Sequence, residues 1–157
     1  MKTLSFILLV LLAFSCKTNK VANLADNTLP YLTFTSGGGF AGQYTTYVLL
    51  ENGQIFEKGQ FASGTEPDSK PAGTISKEQA QQIFSNYTVL DLDNVNQESY
   101  GNYTYTIIKT DGDQQHKLVW EKDKAGAEIL QVFYKNAMNA IQNRTADVKA
   151  KEEDKMQ

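Results

Sequence analysis

The chain has 157 residues, of which 41% are hydrophobic and 21% are charged, and its formal net charge is −3. This composition is typical of one globular domain with short appendages. Scattered lysines on a negative chain do not provide the clustered positive charge that neutralises phosphates, so we expect no nucleic-acid partner. A chain of this length buries a core without a metal or a disulfide, and we expect no cofactor.

The first element is a short apolar segment with the features of a signal peptide. Lys2 precedes an apolar run over 4–14 that is interrupted only by Ser5. A helix of this length spans about 16 Å, roughly half of the hydrocarbon core of a bilayer, and is therefore too short to cross it. We predict that 1–15 form a signal peptide.

Cys16 follows this run and is the only cysteine, so it cannot form an internal disulfide. With Ser15 before it, the segment resembles the bacterial lipobox, and its Phe-Ser-Cys-Lys ending is similar to the relaxed lipobox of small Bacteroidota lipoproteins. The usual leucine three positions before the cysteine is Ala13 here. The resemblance implies a diacylglyceryl group on the Cys16 thiol, cleavage before Cys16 and acylation of the new amino terminus. The alternative is an ordinary secretory signal with a chance cysteine.

Residues 17–30 are polar and show neither helical nor strand periodicity. We predict that 16–30 form the lipid anchor and a flexible tether. Surface-exported lipoproteins of this bacterial group often carry acidic residues directly after the cysteine, whereas 17–20 (KTNK) contain none. The resemblance therefore implies a cell-envelope protein on the periplasmic face of the outer membrane.

Residues 31–143 are predicted to form a single α+β domain, which begins with strands over 31–35, 44–51 and 54–61. Asn52-Gly53, between the second and third strands, is the strongest short hairpin signal. Residues 62–73 are predicted to be a loop. A helix follows, with a capping box formed by Ser76 and Gln79, and it is expected to end near Val89. The apolar side of this helix consists of Ala80, Ile83, Phe84 and Tyr87.

A second hairpin turns at Asp111-Gly112 between strands over 103–110 and 115–121, and a second helix is predicted over about 124–143. The charged residues 144–157 are predicted to be a disordered tail. The element order is β-β-β-α-β-β-α with a weak ββα repeat, which predicts an antiparallel sheet of about five strands with two helices on one face. In this order the chain is similar to small exported domains of the PepSY and β-lactamase-inhibitor kind, a likeness of architecture only.

The candidate binding residues are glycines that follow the first strand. They match G-x-G-x-x-G, but the dinucleotide fingerprint requires a helix next, and 43–50 are predicted to be a strand. A kinase glycine loop does lie between strands, but the other kinase motifs are missing from the sequence. We favour a glycine-rich strand connection, and the alternative is a loop that contacts a ligand or partner. The residues concerned are Gly37, Gly38, Gly39, Phe40 and Gly42.

No catalytic or metal-binding residue is predicted. His116 is the only histidine, and the sequence has no G-x-S-x-G nucleophile motif, so His116 is interpreted as a solvated strand residue. The run of Asp91, Asp93, Asn94 and Asn96 lacks the glycine of an EF-hand loop and is interpreted as a solvated loop.

Three functions remain open from the sequence. We favour a non-enzymatic, lipid-anchored module that binds an envelope protein or another envelope component through its sheet face or its glycine loop. The second is a small enzyme or ligand-binding protein with a site near 37–42 and 62–73, and the third is an inhibitor of an exported enzyme. Several tyrosines either pack in the core or form a recognition surface on the open sheet face: Tyr44, Tyr47, Tyr100, Tyr103 and Tyr105.

Overall fold

The computed structural model of the chain describes residues 20–40, 42–62 and 68–154. Short 3-10 turns at Leu24–Asp26 and Leu92–Asn94 accompany six strands and two helices. In chain order these are β1 (Tyr31–Gly38), β2 (Gln43–Leu50), β3 (Gln54–Ala62), β4 (Lys70–Thr74), α1 (Lys77–Val89), β5 (Tyr103–Asp111), β6 (Gln114–Glu121) and α2 (Glu128–Asp154).

The strands form one antiparallel sheet in the order β4-β3-β2-β1-β5-β6. The first four strands run as a meander, and α1 then carries the chain across the sheet so that β5 pairs with β1. The α+β class and the two-helix architecture are thus confirmed. The expected five strands become six, because β4 lies in the stretch 62–73 that the sequence predicted to be a loop. Its Pro71 is compatible with an edge strand, where one N–H need not join a ladder.

Both tight turns expected from the sequence are confirmed. Asn52 and Gly53 join β2 to β3, and Gly53 has a φ of 93°. The Asn52 side-chain oxygen accepts a hydrogen bond from the Gln54 backbone N–H at 3.0 Å, which fixes the turn. Gly112, with a φ of 56°, occupies the equivalent turn between β5 and β6.

Helix α1 begins as predicted, at a complete capping box. The Ser76 hydroxyl accepts from the Gln79 N–H at 3.1 Å, and the Gln79 side chain accepts from the Ser76 N–H at 3.2 Å. Ala80 and Tyr87 are buried, while Ile83 and Phe84 pack partly buried against the core. The apolar side of α1 expected from helical spacing is therefore the side that faces the sheet.

Helix α2 is longer than the sequence predicted, since it continues from Glu128 to Asp154 instead of ending near Asn143. Residues 144–154, expected to be a disordered tail, contain no glycine or proline to end a helix. The start of this stretch is also attached to the domain, by burial of one side chain and by one hydrogen bond to β4. Thr145 is buried, and the Arg144 Nε donates to the Thr74 carbonyl at 2.9 Å.

The main core lies between the helices and one face of the sheet, here called the helix face. Its aromatic centre contains Phe34, whose ring centroid lies 5.8 Å from that of Tyr134. Trp120 is fully buried there and donates its indole N–H to Gln131 at 3.0 Å. Aromatic side chains of this size dominate the burial energy of a small core. The opposite sheet face, here called the second face, is covered by neither α1 nor α2.

Candidate functional site

The glycine loop, interpreted from the sequence as a strand connection with ligand contact as the alternative, connects β1 to β2 in a hairpin. Gly37 pairs with Tyr44, and a Cβ at Gly37 would lie 2.3 Å from the Gln43 carbonyl oxygen. At Gly38, where φ is 118°, a Cβ would lie 2.3 Å from the Asn102 carbonyl oxygen. Close approach of neighbouring strands therefore accounts for both glycines.

The rest of this loop forms the tip of the hairpin. Gly39 and Gly42 have φ values of 72° and 56°, as a tight turn requires, and Phe40 is fully exposed between them. The four cavities described for the domain are lined by other residues. Close strand approach and the tight turn thus explain the glycines as parts of a strand connection. A binding role for the loop stays a prediction.

The second half of the proposed ligand site, the stretch 62–73, borders a groove. Within this stretch 63–67 lie outside the described residues, and Lys70–Thr74 form β4. Asp68 and Ser69 line a groove of about 790 Å³ together with Tyr31 and Lys58. The other wall of the groove is formed by 22–25. Of the two segments that the sequence placed at a possible pocket, 62–73 borders this groove and 37–42 does not.

Residues 1–15, predicted as the signal peptide, and Cys16 lie outside the described residues, which begin at Lys20. The part of the predicted tether that is described, 20–30, does not extend freely from the domain. Its side chains Val21, Leu24 and Leu29 pack against a second apolar cluster. The buried members of that cluster are Val48, Leu50 and Phe56, all on the second face.

A polar clamp adds to this packing. The Val21 N–H donates to Gln54 Oε1 at 2.6 Å, and Gln54 Nε2 donates to the Val21 carbonyl at 2.9 Å. Asn52 Nδ2 also donates to Gln54 Oε1 at 2.9 Å. Gln54 is nearly fully buried, so water competes little for these partly buried bonds. The sequence contained one signal of this docking, apolar residues at 21, 24 and 29 within an otherwise polar stretch.

Away from the second apolar cluster, the second face carries a group of threonines beside the apolar side chains of Ile108 and Val119. Thr35 pairs with Thr46 on β2 and with Thr106 on β5, so three hydroxyl-bearing side chains form a row across the sheet. Thr33 and Thr104 lie two residues away along their strands and point to the same side. These five residues are here called the threonine face. All but the buried Thr46 keep part of their surface exposed.

The hydrogen-bonding capacity of the threonine face is partly used within the sheet. The hydroxyls of Thr35 and Thr46 lie 2.8 Å apart and form one hydrogen bond. Beside the face, Lys117 Nζ lies 5.7 Å from the centroid of the Tyr100 ring, and Tyr100 is largely exposed. The surface therefore combines short hydroxyl side chains with a cation and an aromatic ring at its border.

The tyrosines named from the sequence divide between the two faces. Tyr47 and Tyr105 belong to the helix-face core, where Tyr105 stacks on Trp120 with centroids 5.6 Å apart. Burial, with the nearby Glu57 carboxylate, raises the pKa of Tyr47 to about 12. Tyr44 lies on the second face, where its ring occupies the space left by Gly37.

His116 differs from its sequence interpretation, because it is partly buried and both ring nitrogens have partners. Nε2 lies 3.1 Å from the Val95 carbonyl, which can only accept, so Nε2 carries the proton. Nδ1 lies 2.7 Å from the Tyr87 hydroxyl. In this tautomer of the neutral ring, Nδ1 accepts a hydrogen bond that the Tyr87 hydroxyl donates. Burial and the Asp93 charge raise the pKa of Tyr87. Because both ring nitrogens are hydrogen-bonded within the domain, we interpret His116 as a structural residue that connects α1 to β6 through Tyr87.

The acidic run beyond α1 is also used within the fold. Asp93 forms an ion pair with Lys109 at 2.7 Å, and Lys109 Nζ lies 5.2 Å from the Tyr87 ring centroid. Asp91 has a φ of 55° and accepts from the Asn94 side chain at 2.7 Å. These contacts fix the connection from α1 to β5, and a cavity of about 150 Å³ beside Asp93 and His116 has room for only a few water molecules.

Comparison with known proteins assigns no family: no protein-family model matches the chain and no curated protein is significantly similar to it. Within 20–40, 42–62 and 68–154, no group of three or more His, Cys, Asp or Glu side chains is arranged to hold a metal ion. No helix in these ranges is both long and apolar enough to cross a membrane. Function therefore has to be inferred from the second face and from the sequence around Cys16.

Proposed function

We propose that the protein is a lipoprotein of the cell envelope, anchored through lipid on Cys16, and that its domain is a non-enzymatic binding module. The observation that supports the anchor is the short apolar run over 4–14, which is followed directly by Ser15 and Cys16. A single acyl chain binds a bilayer only marginally, whereas several chains on one residue give durable attachment. The absence of acidic residues in 17–20 favours the periplasmic face of the outer membrane.

The threonine face is the surface that best supports a binding role. Its hydroxyls stand on three adjacent strands, about 4.8 Å apart across the sheet, in a scaffold that needs no rearrangement to present them. Short side chains lose little conformational entropy when they are covered by a partner. We propose that an envelope component binds here, against the half of the second face that 20–30 leave uncovered.

The anchor is tested by Cys16→Ala in cells that process lipoproteins, with Thr18→Ala as the matched control. We expect the wild-type and control chains to incorporate labelled palmitate and to sediment with membranes. The Cys16→Ala chain should incorporate no label and lose its membrane association. Unchanged membrane sedimentation and labelling of Cys16→Ala would exclude the anchor.

The binding role is tested by a photo-reactive amino acid placed at Thr106, on the threonine face, or at Asn136, an exposed position of α2. After irradiation of intact cells, we expect a discrete adduct from position 106 and none from position 136. Adding Thr35→Lys beside the probe should abolish the adduct, because it brings a long charged side chain onto the contact surface. Adducts of equal yield from both positions would contradict a specific site.

A second candidate function is the binding of a small polar ligand in the groove beside 22–25. The observation that favours it is the groove itself, about 790 Å³ in volume, with Tyr31, Lys58 and Asp68 in its lining. Sites for small molecules are concave and combine a few polar groups with apolar walls. Titration of envelope sugars and amino acids should then shift the amide signals of Tyr31 and Lys58 selectively, and uniform or absent shifts would count against the groove.

A further inference from the structure

The contacts of the N-terminal segment determine where the chain leaves the folded domain. Among the described residues, which begin at Lys20, the first one held by hydrogen bonds on both its N–H and its carbonyl is Val21, through Gln54 at the start of β3. From there the chain makes the turn Leu24–Asp26, whose N-terminus is capped by Asn23. Leu24 and Leu29 then cover the second face as far as β1. The exit point is therefore Val21, ten residues before the first strand begins at Tyr31.

The exit point lies at one particular end of the sheet. Gln54 directly follows the β2–β3 turn, and this turn lies at the same end as the β5–β6 turn, since Tyr31 pairs with both Leu50 and Thr110. The hairpin tip with Phe40 lies at the opposite end. Strand β2 separates the two ends, and its eight residues span roughly 25 Å.

We propose that the contact between Gln54 and Val21 keeps the β2–β3 end of the domain against the bilayer and the Phe40 tip away from it. This inference rests on the proposed lipid at Cys16. Cys16 and Val21 are five positions apart, and a fully extended chain of that length reaches at most roughly 17 Å. If the docking of 20–30 is lost together with this contact, the chain is held first at Tyr31, fifteen positions from Cys16, and the reach increases to roughly 50 Å.

The difference in reach has a physical consequence for binding. A reach of roughly 17 Å is shorter than the length of β2, so the two ends of the sheet are not equivalent with respect to the membrane. The β2–β3 end becomes an interaction surface whose partner is the headgroup layer of the membrane that holds the lipid. The hairpin tip and the neighbouring part of the threonine face then point toward the aqueous compartment, where a partner can reach them.

The proposal is tested by energy transfer from the lipidated full-length chain to a dye on the headgroups of phosphatidylcholine–phosphatidylglycerol vesicles. Because Cys16 is the only native cysteine and its thiol would carry lipid, an introduced cysteine is the only site for the donor. The donor is placed at Asp113→Cys, in the β5–β6 turn, or at Phe40→Cys, at the opposite tip. Both positions are exposed. We expect a several-fold higher transfer rate from position 113 than from position 40.

The role of the contact is tested by adding Gln54→Ala, with Gln142→Ala on the exposed side of α2 as the matched control. Gln54→Ala should bring the ratio of the two transfer rates close to one, and the control should leave it unchanged. If Gln54→Ala fails to fold, ten Gly/Ser residues inserted after Asn19 lengthen the reach with the contact intact and should have the same effect.

Two results would overturn the proposal while leaving the lipid anchor intact. One is equal transfer from positions 113 and 40 in a chain that floats with the vesicles. The other is a ratio that neither Gln54→Ala nor the insertion changes. A chain that does not float with vesicles and takes up no palmitate would instead refute the anchor itself, and with it this inference.

Discussion

The two faces of the sheet are built from alternate residues of the same strands, yet they are covered in different ways. The helix face is closed by α1 and α2 over an aromatic core that includes Phe34, Trp120 and Tyr134. In the described part of the chain, 21–29 cover one side of the second face, and threonines stand on the strands of the other side. Stability is therefore concentrated on the helix face, and the second face is where we propose that a partner binds.

The largest effect is expected at the centre of the helix face. Phe34 is fully buried and contacts the rings of Phe133 and Tyr134. Phe34→Ala should lower the free energy of unfolding by about 3–5 kcal/mol, because it leaves a cavity that the rigid sheet cannot fill. The matched control is Thr35→Ala, one residue further along β1 on the second face, with an expected loss of at most about 1 kcal/mol. Similar losses from both variants, measured by urea unfolding, would remove the distinction between the faces.

The second effect tests whether the second face tolerates added volume. At Gly37 a Cβ would meet the Gln43 carbonyl oxygen at 2.3 Å and the Tyr44 Cα at 2.6 Å. Gly37→Ala should therefore cost about 2–3 kcal/mol, since backbone atoms must move. Truncating the ring in Gly37→Ala/Tyr44→Ala should not restore this loss, because the nearest contact is backbone. Restored stability in the double variant would show that the ring alone excludes the methyl group.

Two threonines of the second face should respond in opposite directions. Thr46 is buried and hydrogen-bonded to Thr35, so Thr46→Val should cost about 1 kcal/mol. Thr110 is also buried, but within the described part of the chain its hydroxyl has no hydrogen-bond partner. Thr110→Val should therefore be neutral or stabilise the fold by up to about 1 kcal/mol. Thermal unfolding of the two variants side by side measures the difference, and a clear loss for Thr110→Val would indicate that its hydroxyl is bonded.

The smallest effect at neutral pH concerns ionisation on the helix face. The pKa of Tyr47 is raised to about 12 by burial and by Glu57, so the folded state favours the protonated phenol. Tyr47 therefore contributes its full stabilisation below about pH 10, and this contribution is lost as the pH rises through about 12. Tyr47→Phe should unfold less steeply with pH across this window. Identical alkaline unfolding curves for the variant and the wild type would contradict the raised pKa.

The features predicted correctly are those that depend on a few neighbouring residues. Asn52-Gly53 formed its turn because Gly53 can adopt the positive φ of 93° found there, and Ser76 with Gln79 capped α1 through bonds within one helical turn. The apolar spacing of α1 identified the side that faces the sheet. For the candidate site, the sequence identified the glycine loop. Gly37 is explained by close approach of β2 in the same hairpin, whereas Gly38 is explained by Asn102, which is distant in the sequence.

The features that were missed depend on partners distant in sequence. Strand β4 contains Pro71 and has no alternating pattern, and it becomes a strand only because β3 offers a free edge. His116 is held by Tyr87 and Val95, 29 and 21 positions away, which no local pattern encodes. The docking of 20–30 likewise depends on Gln54, 33 positions from Val21.

The sequence by itself determined the presence of two helices, the hairpin turns and the α+β class, because turn, cap and periodicity signals are local. The lipid site at Cys16 stays a prediction from the equally local lipobox signal. Only the tertiary structure decided the strand order, the coverage of the second face and the exit point at Val21. These require the free energy of packing between distant segments, which outweighs local preference in a folded domain. The same polar stretch that reads as a free tether in the sequence is thereby attached to the sheet, through three apolar side chains and one buried glutamine.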